Sequence, residues 1–267
     1  MLIEAEIHAA AAVAAKIHRK DTRKYSGLPY LHHCVATAAW VRSLLRRTQY
    51  SIVSQHTDPR QAATDMVCAA LLHDTAEHMN LDAEDLDAIQ ENLQCNRHVA
   101  TLVAECTPKH WPAGTSRAIK FDTELRSWAF NSRNGLSYFV KLADIQSNVS
   151  DTLQLLKSTE HLGMLPQDAP NLDLAYLERY MQEKILVLNA ISTNPTFNKY
   201  WALAQPYLTV SPVDGIIEVA REALFSTNID QLGWSALEAL ETHLRLQNFA
   251  DDWDAPGMEA YDERTKQ

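Results

Sequence analysis

The sequence predicts an all-α protein, and three observations carry that prediction. Glycine is scarce, at seven in 267 residues, and long stretches are rich in Ala, Leu, Glu and Gln, which lose little freedom in a helix. Apolar residues recur at three- and four-residue intervals, the repeat of a helix with one buried face. Helix starts are also spelled out, most clearly at Asp58-Pro59, an Asp cap followed by Pro at the first position. A hydrophobic content of 46% is enough for a sizeable core, and the length suits one large domain or one with an appendage.

Taken in order, Ile3, Ile7, Ala10, Val13, Ala14 and Ile17 mark an amphipathic helix over 2–19. It runs into the basic residues Arg19, Lys20, Arg23 and Lys24, closed by the turn signal Ser26-Gly27-Leu28-Pro29. These four cations are read as an anion-binding feature in preference to a solvated charge run. A second helix is predicted over 33–48, with Val35, Ala38, Ala39, Val41 and Leu45 apolar. Helices then follow over 58–79, 82–93 and 97–106. Two prolines and a glycine make 106–116 a loop, and helical pattern returns through Phe130. Residues 136–157 form another helix, 158–171 a connection, and 172–192, 196–208, 212–225 and 234–249 further helices. From Asp251 the chain is acidic and polar, the composition of a frayed end. The domain division is placed at 1–208 and 209–267, with Ile216, Ile217, Val219, Ala220 and Leu224 expected to cover the first domain's core.

Composition excludes some classes. A net charge of −10 argues against nucleic-acid binding, which needs a basic face, but not against a small anionic substrate in one cleft. No apolar run approaches ~20 residues and the start lacks a basic leader, so no membrane association and a cytoplasmic location are expected. Cys34, Cys68, Cys95 and Cys106 show no C-x-x-C spacing and read as reduced thiols.

The chemistry concentrates in two stretches. In 69–78 an apolar run ends abruptly at His73 and Asp74, with Glu77 three residues on. An imidazole and a carboxylate side by side lose hydration on burial, and a divalent cation is the partner that satisfies both. At helical pitch Glu77 lies about 40° round the axis from His73 and faces the same cavity without binding the ion. In 136–157, Asp144, Asn148 and Asp151 form one polar stripe closely flanked by apolar residues, as on a helix buried around an internal polar site. His32 and His33, ~100° apart on a helix, cannot both reach a shared site.

His33, His73-Asp74 and Asp144 together form the ordered set His … His-Asp … Asp on three helices. The chain thereby resembles the HD superfamily of metal-dependent phosphohydrolases. Its segment Arg23-Lys24-Tyr25-Ser26-Gly27-Leu28-Pro29-Tyr30-Leu31-His32-His33 is similar to R-K-x-(S/D)-G-x-P-Y-I-x-H. Leu71-Leu72-His73-Asp74-Thr75-Ala76-Glu77 is similar to L-L-H-D-T-x-E, and Val140-Lys141-Leu142-Ala143-Asp144 with Asn148 to V-K-L-A-D-x-x-x-N. These words, over roughly residues 1–205, resemble the RelA/SpoT-homologue hydrolases.

The resemblance implies an HD-type helical bundle with additional C-terminal helices and selects His33 over His32. It further implies Mn2+, or another first-row divalent ion, held by His33, His73, Asp74 and Asp144. Glu77 would orient or deprotonate water, with His78 assisting or pointing outwards; Arg23, Lys24 and Asn148 would hold the nucleotide. The implied activity is removal of the 3′-diphosphate from (p)ppGpp by a small stand-alone enzyme, since what remains is too short for a synthetase domain. A toxic alarmone synthetase is an implied functional partner, and Leu237, Leu240 and Leu244 are expected to cover the first domain's core as well, with a homo-oligomer contact as the alternative. The chain departs from the pattern at Cys34, where Pro is common, at Ile145, where a basic residue is common, and at His78, where the catalytic Glu-Asp pair becomes Glu77-His78. The alternatives are another HD nucleotide phosphohydrolase, acting on an adenosine alarmone or a nucleoside monophosphate, and a regulatory module that binds nucleotide without cleaving it.

Overall fold

A computed structural model describes residues 2–24, 26–109, 111–112, 114–131, 133–161 and 173–229. The predicted helix over 234–249 and the acidic end lie outside the described residues.

Two helices form the centre. Helix α1 (Glu4–Ile17) and α2 (Leu31–Arg47) pack on α3 (Pro59–Leu72), and every residue of α3 from Ala62 onward is buried. Asp58 caps α3 as its sequence demands, its side chain accepting from the Gln61 amide at 3.0 Å. A one-turn helix, α4 (Thr75–His78), follows directly. The short α5 (Leu86–Leu93) and α6 (Arg97–Cys106) close over α3, and α7 (Arg117–Phe130) packs against α9 (Leu174–Thr193). The other central element is α8 (Gly135–His161), buried on every side from residue 136 to 145. Such a helix must satisfy any polar group it carries with internal partners. Gly135 opens α8 because a Cβ there would collide with the Tyr200 ring of α10 (Pro195–Ala204). The final described helix, α11 (Pro212–Ile229), lies along α8 and α9 and buries Val213, Ile216, Ile217, Ala220 and Ala223.

Three predicted boundaries shift. The helix expected over 82–93 begins at Leu86, because Asp85 is the residue whose side chain accepts from Ala88 N. Helix α8 extends to His161, into the expected connection. The helix expected to run unbroken to residue 79 is interrupted after Leu72: the Thr75 hydroxyl takes the Leu72 carbonyl at 2.5 Å, and Asp74 adopts φ −94° and ψ −7°. The His-Asp pair therefore sits at a junction between two helices.

Candidate metal centre

The sequence segments separated by 40 to 114 positions meet where α2, the α3–α4 junction and α8 approach one another. His33, in the first turn of α2, and His73, at the C-cap of α3, are 1% and 2% exposed, whereas His32 is exposed. Their Nε2 atoms stand 3.1 Å apart. The Asp74 Oδ2 lies 3.4 Å from His33 Nε2 and 3.1 Å from His73 Nε2, and the Asp144 Oδ1 lies 3.4 and 3.6 Å from the same two atoms. His33, His73 and Asp144 offer ligating atoms that all lie within 4.8 Å of one another, close enough to share one ion, and the Asp74 carboxylate adjoins both histidines.

The outer hydrogen bonds fix which atoms face inward. The Ala70 carbonyl lies 3.0 Å from His73 Nδ1 and can only accept, so Nδ1 carries the proton and Nε2 presents a lone pair. His33 Nδ1 is 2.9 Å from the Ser147 hydroxyl, one turn beyond Asp144 on α8. The Ser147 hydroxyl can accept as well as donate, so with His33 protonated at Nδ1 two imidazole lone pairs and two carboxylates converge, an arrangement that repels itself without a cation or a proton between them. The protonation equilibria register the same conflict. Burial alone depresses the His73 pKa, yet the Asp74 and Asp144 carboxylates outweigh it and raise the pKa to about 10. Burial likewise pushes both aspartates up, but His73 and His33 beside Asp74, and Lys141 and the histidines beside Asp144, hold them well below the usual carboxylate range. The residues fit a first-row divalent ion.

Side chains that the sequence reading did not assign complete the surroundings. The Tyr30 hydroxyl donates to Asp74 Oδ2 at 2.6 Å; burial first, and the Asp74 charge next, raise its pKa. The Lys141 ammonium, buried with the residue at 7% exposure, donates to Asp144 Oδ2 at 3.0 Å. In the sequence Tyr30 and Lys141 stand inside the words P-Y-I-x-H and V-K-L-A-D, and Lys141 and Ser147 lie three positions to either side of Asp144 on one helix.

Asn148 links this cluster to an adjoining cavity of about 190 Å³, lined by Arg23, Lys24, Tyr30, Asn148, Tyr176 and Tyr180 among others. Its Nδ2 donates to Asp144 Oδ1 at 2.5 Å, and its Oδ1 accepts from Arg23 at 2.8 Å. Arg23 also pairs with Asp151 at 3.0 Å, and Lys24 Nζ sits 4.3 Å from the centre of the Tyr176 ring. The loop that carries both cations is pinned by the Thr22–Pro29 bridge and turned by Gly27 at φ +66°. Arg19 and Lys20, expected to share the anion-binding role, are exposed at the end of α1 and line none of this cavity.

Glu77 and His78 are placed differently from the ligands. With the helix broken at Asp74, Glu77 is exposed on α4; burial and then the Asp74 charge raise its pKa above the ordinary glutamate value. His78 turns towards Asp21, its Nδ1 3.3 Å from Asp21 Oδ2, and not towards the four-residue cluster. Among the described residues no helix is long and apolar enough to cross a membrane. Cys34, Cys68 and Cys106 are buried and Cys95 half-buried, all four free.

The fold and the cluster together define an all-helical protein with a buried His/Asp candidate metal site. Residues 10–111 match a family model described as HD domain, a superfamily of metal-dependent phosphohydrolases. That span contains His33, His73 and Asp74, while Asp144 lies beyond it. The comparison with curated proteins gives no match.

Proposed function

We propose that this chain is a Mn2+-dependent hydrolase that removes the 3′-diphosphate of guanosine alarmones, giving GDP or GTP and pyrophosphate, and that it works in the cytoplasm. The observation that carries the reading is the single amide of Asn148, which joins the candidate metal cluster to a small cavity bearing two cations and three tyrosines. A nucleotide with phosphates at both ends has the chemistry to fill such a space: an aromatic ring for Tyr176 and Tyr180, and anionic oxygens for Arg23 and Lys24.

His33, His73, Asp74 and Asp144 would hold the ion, through the Nε2 atoms of the histidines and one oxygen of each carboxylate. When bound, a first-row divalent ion supplies Lewis acidity towards a phosphoryl oxygen and lowers the pKa of a bound water. The chain's own residues do the rest. Tyr30 and Lys141 hold the two carboxylates in place. Arg23 and Lys24 fix the nucleotide and offset its charge. Glu77, whose raised pKa makes it a stronger base than an ordinary glutamate, takes the proton from the attacking water. Its exposure on α4 places it at the solvent side, where water enters.

The test is a substrate panel: purified chain with Mn2+ and ppGpp, pppApp or dGMP, products resolved by chromatography. Pyrophosphate and GDP from ppGpp are expected, with Asp74→Ala losing the ion of this centre together with turnover and Glu77→Gln keeping that ion but losing about 10²–10⁴-fold in rate. Preferential cleavage of pppApp or dGMP would transfer the same site to another nucleotide. Tight ppGpp binding without cleavage would favour the regulatory reading, for which the departure at His78 speaks. Full activity in Glu77→Gln would remove that residue from the mechanism.

A further inference from the structure

A second group of metal-binding side chains lies beside the first and shares none of its residues. His18 is the C-cap of α1, Asp21 follows in the connection, and His78 ends α4. Three segments thus bring two imidazoles and one carboxylate together, with their ligating atoms all within 4.8 Å of one another. His18 Nδ1 lies 3.0 Å and His78 Nδ1 3.3 Å from the same oxygen, Asp21 Oδ2. Ligands bonded at ~2.1 Å to one ion stand ~3.0 Å apart at octahedral angles and ~3.4 Å apart at tetrahedral ones, and both histidine distances to Asp21 fall in that range.

We infer that His18, Asp21 and His78 form a second site for a first-row divalent cation. His18 is 3% exposed, and its ring stacks on Tyr30 at 4.8 Å, so one ligand is rigidly held. Burial also lowers its pKa, which keeps the imidazole in the neutral form that ligates. The ring engages Asp21 through Nδ1, while its Nε2 is buried without a hydrogen-bond partner. On the other side the Asp21 and His78 side chains are 29% and 44% exposed, which leaves coordination positions open to water or a phosphate oxygen. Tyr30 lies between the two groups, stacking on His18 and donating to Asp74. The inference also gives the departure at position 78 a physical meaning, because an aspartate there would exchange a nitrogen ligand for a second carboxylate.

The experiment is metal stoichiometry on the full chain, by calorimetric titration and by the visible absorption of Co2+. Two equivalents are expected for the wild type and one each for His78→Ala, Asp21→Asn and His33→Ala. His78 is an exposed residue at a helix end and Asp21→Asn keeps its shape, so at least one of these variants tests the site in a folded chain. A single wild-type equivalent that survives His78→Ala overturns the inference, as does retention of both ions in His78→Ala and Asp21→Asn. A single ion lost with His78→Ala and kept with His33→Ala supports this site and removes the metal from the hydrolase reading. No binding at all overturns both.

Discussion

Replacing Tyr30 by Phe isolates one hydrogen bond. The hydroxyl donates to Asp74 Oδ2 at 2.6 Å, and the ring that carries it stacks on His18 at 4.8 Å. Phe keeps the ring and deletes only the donor. A hydrogen bond to a charged group contributes ~1.5–3 kcal/mol, and Asp74 would lose it while its carboxylate stays tucked beside two imidazoles. Because that carboxylate is a proposed ligand, its looser hold should also appear as a ~10–100-fold loss in Mn2+ affinity, the usual size for such supporting groups. The two figures agree, since tenfold corresponds to ~1.4 kcal/mol. For a chain of this size ~2 kcal/mol lowers the melting temperature by roughly 4–8 °C. Chelator-competition titration gives the affinity and a metal-free melt gives the stability. Mn2+ affinity within twofold of wild type, together with an unchanged melt, would refute the assignment of Tyr30 as the support of Asp74.

Other expectations follow from the same geometry. Saturating Mn2+ should raise the melting temperature of the wild type, by ~2.7 kcal/mol of stability per site at a hundredfold excess over Kd, and raise that of Asp144→Asn by less, since only the His18/Asp21/His78 group is left there; equal shifts in both would place the ion elsewhere. Arg23→Ala, which also frees Asp151, should raise KM for a nucleotide at least tenfold with metal content unchanged, as measured by steady-state kinetics and elemental analysis. Asp65 is buried, and although burial raises its pKa, hydrogen bonds from His98, Asn96 and Gln61 bring it below the ordinary aspartate value. The stability this supplies is present above pH ~4 and lost as pH falls through the depressed pKa, so Asp65→Asn should lower stability at pH 7 by about 1.5–3 kcal/mol and flatten the acid limb of a denaturation series. Phe197→Ala, at 1% exposure between Tyr138 and Phe139, should lose about 3–5 kcal/mol in urea unfolding.

Much of the helical frame was legible because its signals are local. Asp58-Pro59 caps α3 where expected, and α6 occupies 97–106 as predicted from its apolar spacing. The buried character of α8 could also be read, from apolar residues crowding both sides of a polar stripe. The junction at His73-Asp74 was not, since nothing in that apolar run announces a break; the Thr75 hydroxyl that captures the Leu72 carbonyl is a side-chain choice made in three dimensions. Glu77 is solvent-exposed beyond that break, yet the charges of Asp74, Lys141 and Asp144 still act on it. Tyr30, Lys141 and Ser147 were assigned no role for a related reason, because which ligand each touches is decided only in the folded chain. His18 and Asp21 carried no motif, and only the fold of α1 against α4 brings them to His78.

The amide of Asn148 is held at both ends, by Arg23 on one side and Asp144 on the other. An anion that draws the guanidinium towards itself releases the amide, and a cation that draws the carboxylate inward pulls the amide the opposite way. Occupancy of either compartment therefore shifts the equilibrium in the other. By thermodynamic reciprocity the factor by which nucleotide alters ion affinity equals the factor by which the ion alters nucleotide affinity. Asn148→Ala would sever that conversation while leaving each compartment its own contacts.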